Sequence, residues 1–167
     1  MLIGCDAVVA ANDIVLNLVN KKTSHSIIND NIEPVGVAGV GIGNIVDISL
    51  VTTRLEAVMD SSRISIFTIS KFANQLLGSV TSCNIFMLGW ALQKGLIPLN
   101  VSAVETAIRL NGASINDNLA ALRWGRLLAH APSELYKCLR PSYLLNNTDI
   151  AINDSGEALT RINFQKK

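Results

Sequence analysis

Asp6-Ala-Val-Val-Ala-Ala11, a helical stretch from Asp13 to Val19, and then Ser26-Ile-Ile-Asn29 make up the part of the sequence that carries the fold class. The first run is short and apolar behind a single aspartate, as a buried parallel strand requires, because both of its faces must be covered. Ile14, Val15, Leu18 and Val19 share one face of the stretch that follows, and Lys21, Lys22 and Thr23 end it. The second run is again apolar and of strand length. Strand, short helix and strand in this order predict part of a doubly wound α/β sheet.

Further along, Val51 to Met59 is amphipathic and predicts a helix, and Ile64-Ser-Ile-Phe-Thr-Ile69 predicts a strand. Ser70 opens a helix carrying Phe72, Ala73, Leu76, Leu77 and Val80, with Gly78 as its breaking point. Cys83 to Gln93 is apolar almost all round, so it predicts a helix buried on most sides, ended by Gly95 and Pro98. Asn100 or Ser102 caps the next helix, with Ser102 and Glu105 in capping-box spacing. Ala103, Val104, Ala107 and Ile108 form its inner stripe, and Asn111-Gly112 stops it. Ser114 and Asp117 cap a last helix running to about His130, after which Pro132 and Pro141 mark loop. The organisation expected is residues 1–132 as one packed region, α/β to about residue 70 and helical beyond, and residues 133–167 as a polar, partly disordered tail.

Val35-Gly-Val-Ala-Gly-Val-Gly-Ile-Gly43 is glycine-rich, a feature of loops whose N–H groups cradle phosphate. Neither the dinucleotide spacing nor a following Lys-Ser or Lys-Thr is present, so a flexible or strand-edge segment is the simpler reading.

Apolar residues make up 49% of the 167 residues and charged ones 16%, with mean hydropathy +0.36. That is apolar for a free-standing domain and points to a large core or to surface covered by another chain. A net charge of +1 and an aromatic content of 5% speak against nucleic acid and anionic lipid as partners. No apolar stretch approaches the roughly 20 residues of a membrane span. Cys5, Cys83 and Cys138 are widely separated, too few for the four thiolates of a standard cluster. They read as reduced, mostly buried thiols of a cytoplasmic protein. His25 and His130 form no metal-binding pattern.

On the helix from 114 to 130, Ala120, Ala121, Trp124, Leu127, Leu128 and Ala131 share one side, and Asn118, Leu119, Leu122, Gly125 and Arg126 the other. A solvated helix back does not usually combine two leucines with a glycine, which costs about 1 kcal/mol against alanine when exposed. Two readings stand: a helix buried on both sides within its own fold, or a face met by a partner or ligand, flanked by Arg123 and Arg126.

The segment Leu77-Gly-Ser-Val-Thr-Ser-Cys-Asn-Ile-Phe-Met-Leu-Gly-Trp-Ala-Leu-Gln-Lys-Gly-Leu-Ile-Pro-Leu99, continuing through Ala107-Ile-Arg-Leu-Asn-Gly112 to Arg123-Trp-Gly-Arg126, resembles the gamma-type domain of indolepyruvate:ferredoxin oxidoreductases, members of the 2-oxoacid:ferredoxin oxidoreductase family. That domain shows a similar run: an Asn before an apolar helix, then L-G-Y-A-x-Q-K-G-L-x-P-L, A-I-x-L-N-G and R-W-G-R. Leu2 to Ala11 is similar to a strand preceding it, and Phe67 to Gly78 to the strand and helix just before the run. Trp90 stands where the family has Tyr, and Leu122 where it has Phe. The family's opening G-x-G-G-Q-G turn is not found before Asp6, so the expectation is a fragment of the domain: a partial Rossmann-like doubly wound parallel sheet followed by a helical portion.

The resemblance implies oxidative decarboxylation of 2-oxoacids, here indolepyruvate and other aryl pyruvates, to acyl-coenzyme A with ferredoxin as electron acceptor. It implies thiamine diphosphate with Mg²⁺, [4Fe–4S] clusters and coenzyme A in the whole cytoplasmic enzyme, held by domains or subunits other than this one. This chain has no G-D-G run with a downstream Asn and no cysteine cluster, so no catalytic or metal-ligating residue is expected in it. Its expected part is in assembly and in the wall of the cavity, with Asn84, Gln93, Asn118, Arg123 and Arg126 as contacts to a ligand or neighbouring domain, Asn118 and Arg126 foremost. A free-standing α/β small-molecule-binding domain and a protein-interaction module are the alternatives.

Overall fold

The computed structural model describes residues 1–32 and 47–139. Among these it is a mixed α/β protein with a three-stranded parallel sheet and eight α-helices. The chain divides into two compact units, the first covering Met1–Ser70 and the second beginning at Lys71.

In the first unit, β1 (Leu2–Gly4), β2 (Ser26–Asn29) and β3 (Ile64–Phe67) lie in the order β1-β2-β3, with Ile3 opposite Ile27 and Ile28 opposite Ile66. All four residues of β2 are buried, as the central strand of a parallel sheet must be. The crossover from β1 to β2 is made of α1 (Ala7–Ala10) and α2 (Asp13–Leu16). The crossover from β2 to β3 carries α3 (Ile48–Val58) and a short 3₁₀ turn, Ser61–Arg63. Ala7, Ala10, Ala11, Val51, Leu55 and Met59 pack with Ile28 and Ile64 in one core. The two crossovers therefore cover the same face of the sheet, as sequential parallel strands joined by crossovers of one hand require.

The run Ala7–Ala11 is a correction to the sequence reading. Ala7–Ala10 is helical, with Ala11 as its C-cap, and the strand lies earlier, at Leu2–Gly4. The cause is Asp6, whose side chain accepts from the Val9 N–H at 2.8 Å and so caps a helix exactly where the apolar run starts. A Cβ on Gly4 would meet Ala10 at 2.7 Å and Ile28 at 2.6 Å, so the strand can pass beneath that helix only without a side chain. Asn12 caps α2 in the same way through the Val15 N–H. The strand at Ile64 is as expected but ends at Phe67, and α4 (Ile69–Leu77) begins one residue before Ser70.

In the second unit, α5 (Cys83–Gln93), α6 (Val101–Asn111), α7 (Ile115–His130) and α8 (Pro132–Cys138) follow one another. Gly112 adopts φ 76° after α6, the left-handed conformation that ends helices at least cost to glycine. Asn100, one of the two cap candidates, caps α6 through the Ala103 N–H at 2.7 Å, and Ser102 donates to its Oδ1. Two details differ from the expectation. Ser114 precedes α7 without a side-chain cap bond. Pro132 opens a helix, its missing N–H costing nothing in the first turn, so that Leu135, Tyr136 and Leu139 are buried where a polar tail was expected. On α6, Val104 and Ile108 face inward, whereas Ala103 and Ala107 are exposed. Phe72 of α4 packs edge-on against Tyr136, ring centroids 5.9 Å apart, and lies 6.4 Å from Phe86.

The glycine-rich stretch 35–43 and residues 140–167 lie outside the described residues. Of the three free cysteines only Cys83 is buried; Cys5 and Cys138 are exposed, which corrects the expectation of mostly buried thiols.

Candidate functional site

All five candidate residues fall on α5 and α7, and the packing of these two helices decides what each can do. The α5 helix carries no charged residue and buries Phe86, Met87, Gly89, Trp90, Ala91 and Leu92. Against it α7 buries Leu119, Leu122 and Gly125. A Cβ at Gly89 would collide with the Leu122 carbonyl oxygen and stand 3.0 Å from its carbon; one at Gly125 would collide with the Phe86 carbonyl oxygen and stand 3.0 Å from the Trp90 nitrogen. Backbone thus rests on backbone at two points. Ser82 meets Asn118, Gly89 meets Leu122 and Gln93 meets Arg126, so residue numbers rise together and the helices run parallel. The helix between them, α6, closes one side through Leu92, Val104, Ile108, Leu119 and Leu122.

The backbone approaching Gly125 is that of α5, so Leu119, Leu122 and Gly125 are covered within the chain. Ala121 and Leu128 are buried too, while Ala120, Trp124 and Leu127 are only partly covered.

Asn118 acts as a structural tie. Its Oδ1 accepts from the Ser82 hydroxyl at 2.8 Å and its Nδ2 donates to the Ala113 carbonyl at 3.0 Å. Both ends of the amide are engaged within the chain. Ser82, buried just before α5, is the partner that sequence reasoning missed; its position at a helix start signals a cap, yet its hydroxyl reaches across to α7 instead.

Gln93 and Arg126 come together, with Arg126 Nε donating to Gln93 Oε1 at 3.0 Å. Both are half-buried. Arg123 is exposed one turn earlier on α7. Asn84 is exposed in the first turn of α5, where its Oδ1 accepts from the Ile85 N–H at 2.9 Å. Eight residues separate Asn118 from Arg126, about 12 Å along a helix. The five residues therefore do not converge: Asn118 lies at one end of the helix pair, and Gln93 with Arg126 at the other.

No group of three or more His, Cys, Asp or Glu side chains gathers among the described residues, and no helix among them is long and apolar enough to cross a membrane. At the carboxyl end of the sheet, where α/β proteins commonly bind ligands, Asn29 is buried and Cys5 exposed. Asn29 Nδ2 donates to the Cys5 carbonyl at 3.2 Å and to Ser70 Oγ at 2.8 Å, and its Oδ1 accepts from the Ser70 N–H at 3.1 Å. Partial desolvation by its surroundings raises the pKa of the Cys5 thiol, away from a nucleophilic thiolate.

No family model, curated protein or solved structure matches the chain.

Proposed function

We propose that the chain is a component of a 2-oxoacid:ferredoxin oxidoreductase of the indolepyruvate type, and that it serves that enzyme as a packing and cavity-wall element. The observation that carries this reading is the α5–α7 contact. Among the residues through which the sequence resembles the family, Gly89, Gln93, Gly125 and Arg126 set this one helix pair: two glycines at its backbone contacts and an amide–guanidinium bond at its end. A three-stranded parallel sheet with both crossovers on one face fits one half of a Rossmann-like, doubly wound sheet.

The cofactors of such an enzyme do not fit the described residues. They bring together no thiolate set for a [4Fe–4S] cluster and no carboxylate set for Mg²⁺ and thiamine diphosphate. In this reading those groups, coenzyme A and the chemistry belong to neighbouring domains or subunits of a cytoplasmic enzyme, with ferredoxin as acceptor. Ile14 at 77%, Leu18 at 81% and Leu110 at 82% exposure support a chain built to be covered by protein. Affinity isolation of the tagged chain from its native cell tests the proposal. Recovery of a polypeptide that contains thiamine diphosphate and clusters bears it out; recovery of the chain alone, or with a partner lacking both, refutes it.

A further inference from the structure

Arg126 is oriented but not neutralised. Its Nε donates to Gln93 Oε1 at 3.0 Å, which fixes a half-buried guanidinium. That bond leaves the outer edge, with both terminal amino groups, for another acceptor. No carboxylate among the described residues takes it: the ion pairs there are Arg54–Asp13 and Lys137–Glu134. An amide brings no charge, and partial desolvation of an unbalanced charge is unfavourable. Arg123 stands one turn earlier on α7, exposed, and likewise pairs with no carboxylate among these residues. Side chains three positions apart on a helix are neighbours, their Cβ atoms about 5–6 Å from each other, so both guanidiniums reach one ligand group. Acids are scarce on the two helices. The α5 helix has none, and Asp117, the one acid of α7, lies about 9 Å along the axis from Arg123 and further from Arg126. Between residues 71 and 139 six Lys and Arg stand against three Asp and Glu, and Glu134 is already engaged by Lys137.

We propose that Arg123 and Arg126 together bind one phosphate group, as free phosphate or as a small phosphate monoester. Charge decides between the oxyanions. Two guanidiniums carry two positive charges. A carboxylate balances one of them, whereas a phosphate monoester brings about −1.5 to −2 near neutral pH and three strong acceptor oxygens. Two of those oxygens match the outer edge of Arg126, and the third is left for Arg123. The site stands on this pair of residues and on the Gln93 anchor, and does not depend on the chain's belonging to a 2-oxoacid enzyme.

An NMR titration of the full chain tests it, read at the arginine Nε–H signals while inorganic phosphate or glycerol phosphate replaces chloride at constant ionic strength. The Arg123 and Arg126 signals are expected to shift together and saturate, with a midpoint below about 10 mM. Saturation by either probe supports the site, and the tighter of the two names the source of the phosphate group. Acetate is expected to bind about tenfold more weakly. Arg123→Gln weakens phosphate binding about tenfold, and Arg126→Lys does the same although the charge is kept, because the fork is lost. Gln93→Leu weakens binding too, because the guanidinium loses its anchor. Arg109→Gln, at an exposed cation of α6, leaves the midpoint unchanged. A circular-dichroism melt checks each fold; if variants at Gln93 or Arg126 do not fold, Arg123→Gln, at an exposed position, gives the readout. Shifts that do not saturate, equal midpoints for acetate and phosphate, or an Arg109→Gln effect as large as that of Arg123→Gln overturns the proposal. Phosphate binding by a chain that isolates without a thiamine-containing polypeptide keeps the site and removes the enzyme. No binding by a chain that does isolate with one removes the site and leaves the enzyme.

Discussion

Gly125 of α7 packs directly on the main-chain carbonyl of Phe86 in α5, with no room for a methyl group between them. The neighbour is backbone, which cannot rotate aside as a flexible side chain can. Gly125→Ala therefore forces the helices apart and costs stability at or above the upper end of the about 1–3 kcal/mol typical of overpacking. Urea unfolding reads the loss, and Gly89→Ala behaves alike through Leu122. A wild-type midpoint in either variant would show that the helices can separate freely.

Ser114 sits in the left-handed region at φ 44°, exposed, and makes no cap bond in return. An L-residue there carries about 1–2 kcal/mol of strain that glycine avoids, and glycine gives back part of it as chain entropy. Ser114→Gly is expected to raise stability by about 0.5 kcal/mol, read as a higher thermal midpoint; a lower midpoint means the serine has a partner that offsets the strain.

Asn29 joins the ends of β1 and α4 through Cys5 and Ser70. Truncation strips the part-buried Cys5 carbonyl and the Ser70 N–H of their partner at once. Asn29→Ala is expected to cost about 2–3 kcal/mol, with amide exchange quickening at Asp6 and Ser70. Exchange unchanged at both would mean that the amide does not tie these ends.

His25 gives the protein an acid-side sensitivity. Its Nε2 accepts from Arg63 Nη1 at 2.6 Å, so the ring is neutral. Burial lowers its pKa below 6.5, and the charges of Arg63 and the Met1 ammonium lower it further. Between the depressed value and 6.5 the unfolded chain binds more protons than the native one. The contribution is thus complete above that window and lost as pH falls through the folded pKa. Asp47 and Asp60, held below 3.8 by hydrogen bonds from Ser49 and Ser62, act in the same direction only in stronger acid. Urea midpoints are expected to fall as pH drops below 6.5, and His25→Gln is expected to flatten that step. An equal fall in both proteins would assign it elsewhere.

The helices were legible in the sequence where periodicity and glycine agreed: Val51 to Met59, Cys83 to Gln93, and the stop at Gly112. Ala7–Ala11 reads equally as a strand or a buried helix because five apolar residues suit both, and a side-chain cap from Asp6 chooses between them. The odd face of α7 was visible as a pattern, with Gly125 between two leucines. What it meets was not, because α5 lies more than 30 residues earlier and nothing local records which backbone comes close. Gln93 and Arg126 were both singled out, but their bond depends on the parallel alignment of two helices that only the folded chain reveals. Asn118 stands out in the sequence as a polar residue on that face, but its tie to Ser82, 36 residues earlier, is visible only in the folded chain.

The most direct measurement is indolepyruvate-dependent reduction of a viologen dye, with coenzyme A present, by the complex isolated on the tagged chain. The expected result is turnover that needs the 2-oxoacid and coincides with the iron–sulfur absorbance of the same fraction. A fraction containing the chain but neither that absorbance nor any substrate-dependent reduction would contradict its membership in such an enzyme.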